Sequence, residues 1–92
     1  MAIKVGVIGA AGRMGSAVCE AVGSDSETTL FAAIDEHGVG EEISNSGILI
    51  SNEFSDLEGA DVAVDFTVAS SSRNSLRRVA SMGIHAVVGT TG

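Results

Sequence analysis

The chain has no proline, no tryptophan and no tyrosine, and its only aromatic residues are three phenylalanines. With so little ring volume, a core must be assembled from Ala, Val, Ile and Leu, as in packed α/β sheets. A single cysteine excludes an intrachain disulfide and fits a reducing compartment. Basic residues are scarce: five Lys and Arg stand against twelve Asp and Glu, a formal charge of -7. An average field of that sign repels a phosphodiester backbone and disfavours a nucleic-acid partner. It leaves room for a single dinucleotide, which local dipoles and backbone donors can hold. No apolar run approaches the roughly 20 residues that span a bilayer. The start Met1-Ala2-Ile3-Lys4 lacks the n-region, h-region and cleavage site of a secretory signal, so the expected location is cytoplasmic. A hydrophobic share of 45% with 18% charged residues belongs to a folded chain. Its 92 residues suit one domain, residues 1–92, with one core and no second, substrate-binding domain.

Along the chain, Ile3–Ile8 is a short β-branched run that stops at Gly9, as a buried strand does before a tight turn. From Arg13 to Val22 the apolar residues Met14, Ala17, Val18, Ala21 and Val22 recur at helical spacing, and Gly23 is placed to end the helix. Thr29–Ile34 predicts a second strand ending at Asp35. Residues Glu36–Gly47 carry no sustained period and predict a loop, and Ile48–Ile50 predicts a minimal third strand. Phe54–Leu57 allows at most one helical turn, and Val62–Phe66 predicts the fourth strand. Ser70–Met82 predicts a second helix, with Leu76, Val79 and Ala80 inward and Arg73, Arg77 and Arg78 solvated, capped by Gly83. His85–Val88 predicts the fifth strand, followed by Gly89-Thr90-Thr91-Gly92. This alternation implies right-handed crossovers and a Rossmann-type, doubly wound parallel sheet of about five strands. The stop at Gly92, just past a strand end, carries the expectation of a fragment or a minimal domain.

Gly9, Gly12 and Gly15 lie between the first strand and the first helix. Gly9 permits the sharp turn, Gly12 lets backbone approach a pyrophosphate, and Gly15 allows close packing of helix on strand. The open N–H groups and dipole of the helix start then face the negative charge. A purely structural strand-to-helix turn is the alternative. Asp35 lies twenty residues beyond Gly15, where a carboxylate can accept hydrogen bonds from the adenosine ribose diol and repel a 2′-phosphate. Glu36 and His37 follow, so no Arg or Lys stands beside the acid. NADH is thus the expected cofactor and NADPH the second option, with Arg13 able to offset the preference. Asp65-Phe66-Thr67 and Gly89-Thr90-Thr91-Gly92 end the fourth and fifth strands, on the sheet edge where open α/β folds bind ligands. Cys19 has no neighbouring base and reads as a core or boundary side chain. His37 and His85 lack ligand spacing, so no metal site is expected. The three arginines of the second helix read as a solvated face, with a subunit or domain contact as the lesser option.

Three segments together, Val5-Gly6-Val7-Ile8-Gly9-Ala10-Ala11-Gly12-Arg13-Met14-Gly15, Asp65-Phe66-Thr67 and Val87-Val88-Gly89-Thr90-Thr91-Gly92, resemble the dihydrodipicolinate (4-hydroxy-tetrahydrodipicolinate) reductases. The resemblance runs from the first strand to the last glycine. It implies a nicotinamide-dependent reductase of the diaminopimelate route to lysine, cytoplasmic and tetrameric in its parent form. It also implies dinucleotide contacts at Gly9, Ala10, Ala11, Gly12, Arg13 and Met14, at Asp35, and at Gly89, Thr90 and Thr91, with Phe66 and Thr67 near the nicotinamide. Two departures stand out. Many members carry Arg directly after the ribose acid, where this chain has Glu36. The family's His-His pair, Lys and Ser-Gly-Thr segment, which bind substrate and donate a proton, are absent, so no catalytic residue is assigned. A stand-alone dinucleotide module, the N-terminal domain of another nicotinamide-dependent dehydrogenase, or a fragment that folds and binds nothing are the competing readings.

Overall fold

The computed structural model describes residues 2–43, 46–66 and 77–89. Among these residues five strands form one sheet: β1 (Ile3–Ile8), β2 (Thr28–Ile34), β3 (Ile50–Ser51), β4 (Val62–Asp65) and β5 (His85–Val88). Their order is β3-β2-β1-β4-β5, and every neighbouring pair is parallel. The chain begins at the centre of the sheet, builds outward to β3, then crosses back to β4 on the other side of β1. That reversal is the switch point of a doubly wound sheet, and it opens a crevice at the carboxyl ends of β1 and β4. The expected Rossmann-type α/β architecture is the one observed.

Period-two alternation gives β1 two buried faces. Val5 and Val7 join Leu30, Ala33 and Cys19 on the side covered by helix α1 (Arg13–Ser24). Ile8 joins Ala32, Ala63, Leu57 and Val79 on the other side. There the cover is a 3-10 turn at Phe54–Leu57 and the helical residues 77–81. Leu57 and Val79 are almost wholly buried, which is worth about 2 kcal/mol each. Gly6 faces Leu57, and a Cβ there would run into its side chain. The β1–β2 register shifts between Val5 and Gly6, leaving Phe31 as the extra residue of a bulge. Gly83, in the left-handed region, ends the helical residues 77–81. Its N–H bonds to the Ala80 carbonyl and the Ile84 N–H to that of Val79, a Schellman pattern.

Four expectations need correction. The buried face of α1 is Gly15 and Cys19, flanked by the half-buried Val18 and Val22, while Met14, Ala17 and Ala21 are exposed. Gly15 decides this, because it must sit against the Gly9 backbone, and offsets of 3, 4 and 7 then select 18, 19 and 22. Gly23 lies inside α1, which runs on to Ser24. The helix end is closed by the Asp25 N–H and the Thr28 hydroxyl, both donating to the Val22 carbonyl. Ala80 is exposed; of the expected inner face only Val79 is seen buried, since Leu76 lies outside the described residues. The segment expected as a loop holds no helix or strand among its described residues, as expected, though residues 40–43 run antiparallel beside residues 48–50 through one bridge, Glu42 with Leu49. Gly40 and Ile50, Ile50 and Glu41, and Ile43 and Ile48 are joined by backbone hydrogen bonds of 2.8–2.9 Å, and Ile43 enters the core. The third strand pairs with β2 at Ile50–Ser51 instead of Ile48–Ile50, and Ile50 takes part in both pairings.

Cys19 is sealed between α1 and the sheet, as its sequence context implied. Burial pushes its thiol up from 9.0 to about 11, against a smaller downward pull from a backbone hydrogen bond. Between those values the unfolded chain releases a proton that the folded chain keeps. The unfolded state then binds fewer protons, so this contribution to stability is complete below pH 9 and is lost as pH rises towards 11. Urea unfolding at about pH 8.5 and 10.5 should show the decline, and Cys19→Ala should remove that part of it. Ellman's reagent should label the native thiol at least about tenfold more slowly than the urea-unfolded one.

Candidate functional site

The loop between β1 and α1 owes its shape to its glycines and to the end of β2. Gly9 leaves the strand at φ 85, in the left-handed region that glycine adopts freely. The N–H groups of Gly9 and Ala10 both donate to the Ile34 carbonyl, at 2.7 and 3.1 Å. Gly12 N–H donates to the Gly9 carbonyl at 3.2 Å, and Ser16 N–H makes the first helical bond, to Gly12, at 2.8 Å. Between them, the backbone N–H groups of Arg13, Met14 and Gly15 have no acceptor among the described residues. These are the orphan donors of a helix start, where the dipole is positive.

The three glycines are needed for different reasons. A Cβ on Gly15 would run into the Gly9 carbonyl oxygen. Gly12 is exposed, has φ -75 and ψ 168, and would hold a Cβ with only the Gly9 oxygen near, at 3.5 Å. Nothing in the fold asks for glycine at position 12. The open space above it, beside free amides, is a cradle of the kind a pyrophosphate fills.

Asp35 follows β2 and is half-buried. Its Oδ2 accepts the Ala11 N–H and its Oδ1 the His37 N–H, both at 2.9 Å. The Asp35 N–H itself donates to the Ser51 carbonyl at 2.9 Å. The carboxylate is thereby held beside the glycine loop. Arg13 is exposed and makes no ion pair among the described residues, and Met14 is 62% exposed at the helix start. Across the switch point, Phe66 N–H donates to the Ile8 carbonyl at 2.9 Å, tying the end of β4 to that of β1. Gly89 N–H donates to the carbonyl of the buried Asp65 at 2.8 Å, and the Phe66 ring lies over Gly89 so closely that a Cβ there would strike it.

The residues singled out from the sequence therefore gather in two groups on one sheet edge. Gly9 to Met14 stand with Asp35, and Phe66 stands with Gly89. Thr67, Thr90 and Thr91 lie outside the described residues. The sequence reading missed the Ile34 carbonyl, which anchors two loop amides, and the His37 amide on Asp35. The second had a signal, since an Asp accepting from the amide two residues on is a common turn. A backbone carbonyl offers none. Of the arginines, Arg77 and Arg78 are exposed, and the Arg78 guanidinium stacks 4.4 Å from the centre of the Phe54 ring. Arg73 lies outside the described residues. No helix among the described residues is long and apolar enough to cross a membrane.

Comparison with known proteins bears directly on this arrangement. Residues 3–92 match the family model described as dihydrodipicolinate reductase, N-terminus. The chain belongs to the dihydrodipicolinate reductase family. Residues 3–92 correspond to the N-terminal, dinucleotide-binding domain of these reductases. The 4-hydroxy-tetrahydrodipicolinate reductase of Cutibacterium acnes is 44% identical over 90 residues, covering 98% of this chain and 31% of that protein. That of Corynebacterium aurimucosum is 44% identical over 92 residues, covering the whole chain and 32% of that protein. The chain thus spans about a third of the length of these reductases. A solved dipicolinate-bound dihydrodipicolinate reductase from Paenisporosarcina sp. TG-14 superposes with a TM-score of 0.83 at 22% identity, over all of this chain and 38% of that one. At that identity the superposition speaks for the fold.

Proposed function

We propose that residues 1–92 are the cofactor half of an NADH-preferring 4-hydroxy-tetrahydrodipicolinate reductase, with substrate binding and proton donation left to chain beyond this domain. Gly9 to Met14 hold the pyrophosphate, with the amides of Arg13 and Met14 as donors and the Arg13 guanidinium over the adenosine end. Asp35 accepts the ribose hydroxyls. Phe66, Thr67, Gly89, Thr90 and Thr91 border the nicotinamide. The bound cofactor supplies a hydride for reduction of a cyclic dicarboxylate, and this domain's share is binding, orientation and electrostatics.

The observation that carries the reading is the union of a free-amide helix start with a fixed carboxylate: Asp35 stands one hydrogen bond from the loop, at Ala11. A carboxylate there suits a ribose diol and opposes a 2′-phosphate, and Glu36 adds to the opposition. Calorimetric titration of the 92-residue chain with NADH, NADPH and ADP-ribose tests this. NADH should bind about tenfold or more tighter than NADPH. The reverse order would overturn the role given to Asp35 and Glu36, and no binding at all would overturn the cofactor reading. Equal affinity for NADH and ADP-ribose would remove the nicotinamide contacts from it. The isolated chain should show no turnover of the reductase substrate with NADH, and measurable turnover would refute the division of labour.

A further inference from the structure

Three successive loop amides are tied to two successive residues at the end of β2. Gly9 and Ala10 donate to the Ile34 carbonyl, and Ala11 donates to the Asp35 carboxylate, 24 residues away in sequence. The first two ties are backbone to backbone, so a change of side chain at position 34 leaves their acceptor in place. The third is made by a side chain, immediately before Gly12, the residue with open space above it. Asp35 is held in turn, because His37 N–H occupies its other oxygen. A carboxylate has about four acceptor sites. Two taken by backbone amides leave two for a diol, so both duties can be met at once.

We propose that Asp35 is a positioning residue for the pyrophosphate loop as well as a ribose acceptor, so that one carboxylate couples the two subsites. The proposal rests on the cofactor reading above. Its signature is a sign. A carboxylate near a diphosphate repels it, so if Asp35 served the ribose alone, removing it would leave unchanged or improve the binding of a ligand lacking ribose hydroxyls. If Asp35 shapes the loop, removal frees the Ala11 amide and weakens that ligand too.

The test uses ADP and 2′,3′-dideoxy-ADP, titrated by NMR against the 92-residue chain and its Asp35→Ala and Asp35→Asn variants. The expected result is a loss of about tenfold or more for dideoxy-ADP in Asp35→Ala, and a larger loss for ADP. Asp35→Asn, which keeps one side-chain acceptor, should fall between and serves if the alanine variant does not fold. Hydrogen exchange at the Ala11 amide should quicken about tenfold or more in Asp35→Ala while that of Val7, inside β1, is unchanged. Dideoxy-ADP bound equally or better by both variants, with ADP binding intact in the parent chain, would overturn the loop role alone. Failure of the parent chain to bind either nucleotide would overturn the cofactor reading and this proposal with it.

Discussion

Gly15→Ala is expected to lower the free energy of unfolding by about 3 kcal/mol or more. Two effects oppose each other. Alanine in a helix is favoured over glycine by up to about 1 kcal/mol. Against this, the new Cβ would press on the carbonyl oxygen of Gly9, with the Gly9 carbonyl carbon and the Ala10 α-carbon close behind. All three atoms are backbone, and the residues are held by the paired bonds to Ile34. No side chain can turn aside, so α1 must lift from the sheet and loosen the layer containing Cys19, Val18 and Val22. Small domains are stable by only ~5–15 kcal/mol, and the steric term decides the sign. Urea denaturation followed by circular dichroism measures it. A midpoint equal to or above that of the parent chain would show that α1 has room the geometry denies it.

Gly12→Ala, three residues earlier, should do the opposite. Stability should stay within about 1 kcal/mol of the parent, because alanine's poorer capping is offset by its more restricted unfolded state. The backbone there is extended, and the nearest atom to a Cβ is 3.5 Å away. Affinity for NADH should fall about a hundredfold, because the methyl group occupies the space a pyrophosphate needs to reach the amides of Arg13 and Met14. Calorimetry and denaturation on the same sample separate the two effects. Unaltered NADH affinity would move the pyrophosphate away from this loop. Together the two substitutions distinguish a glycine required by the protein from one required by its ligand.

Much of the site was legible because glycine spacing is a statement about backbone, and the backbone obeyed it. Gly9 turns, Gly15 packs, and Asp35 stands at the strand end where a count of twenty residues put it. The face of α1 was not legible. Met14, Ala17 and Ala21 are apolar by type, but alanine is at home on either side of a helix. Orientation was settled by the closest approach, and the residue making it has no side chain to register in a hydrophobic pattern. The antiparallel contact of residues 40–43 with 48–50 was not legible for a different reason. On its first side it uses Gly40, Glu41 and Glu42, residues poor in strand propensity, and the buried residue on that side is Ile43. The tie from Asp35 to Ala11 joins residues too far apart for any local rule. It becomes visible only once β1 and β2 lie side by side.

Placing β1 at the centre of the sheet also sets a timetable for synthesis. β1 pairs with β2, the next strand along the chain, but its other edge waits for β4, as in the pairing of Val5 with Val62. At ~5–20 residues per second, that edge stays open for roughly 3–10 s. During the interval a nascent chain presents an unpaired strand of Val and Ile, the kind of surface that recruits a holding chaperone or a neighbouring nascent chain. Closure comes when Asp61 arrives to accept the Lys4 N–H and Phe66 to reach the Ile8 carbonyl. Until then the open edge of β1 is a template for pairing with another chain.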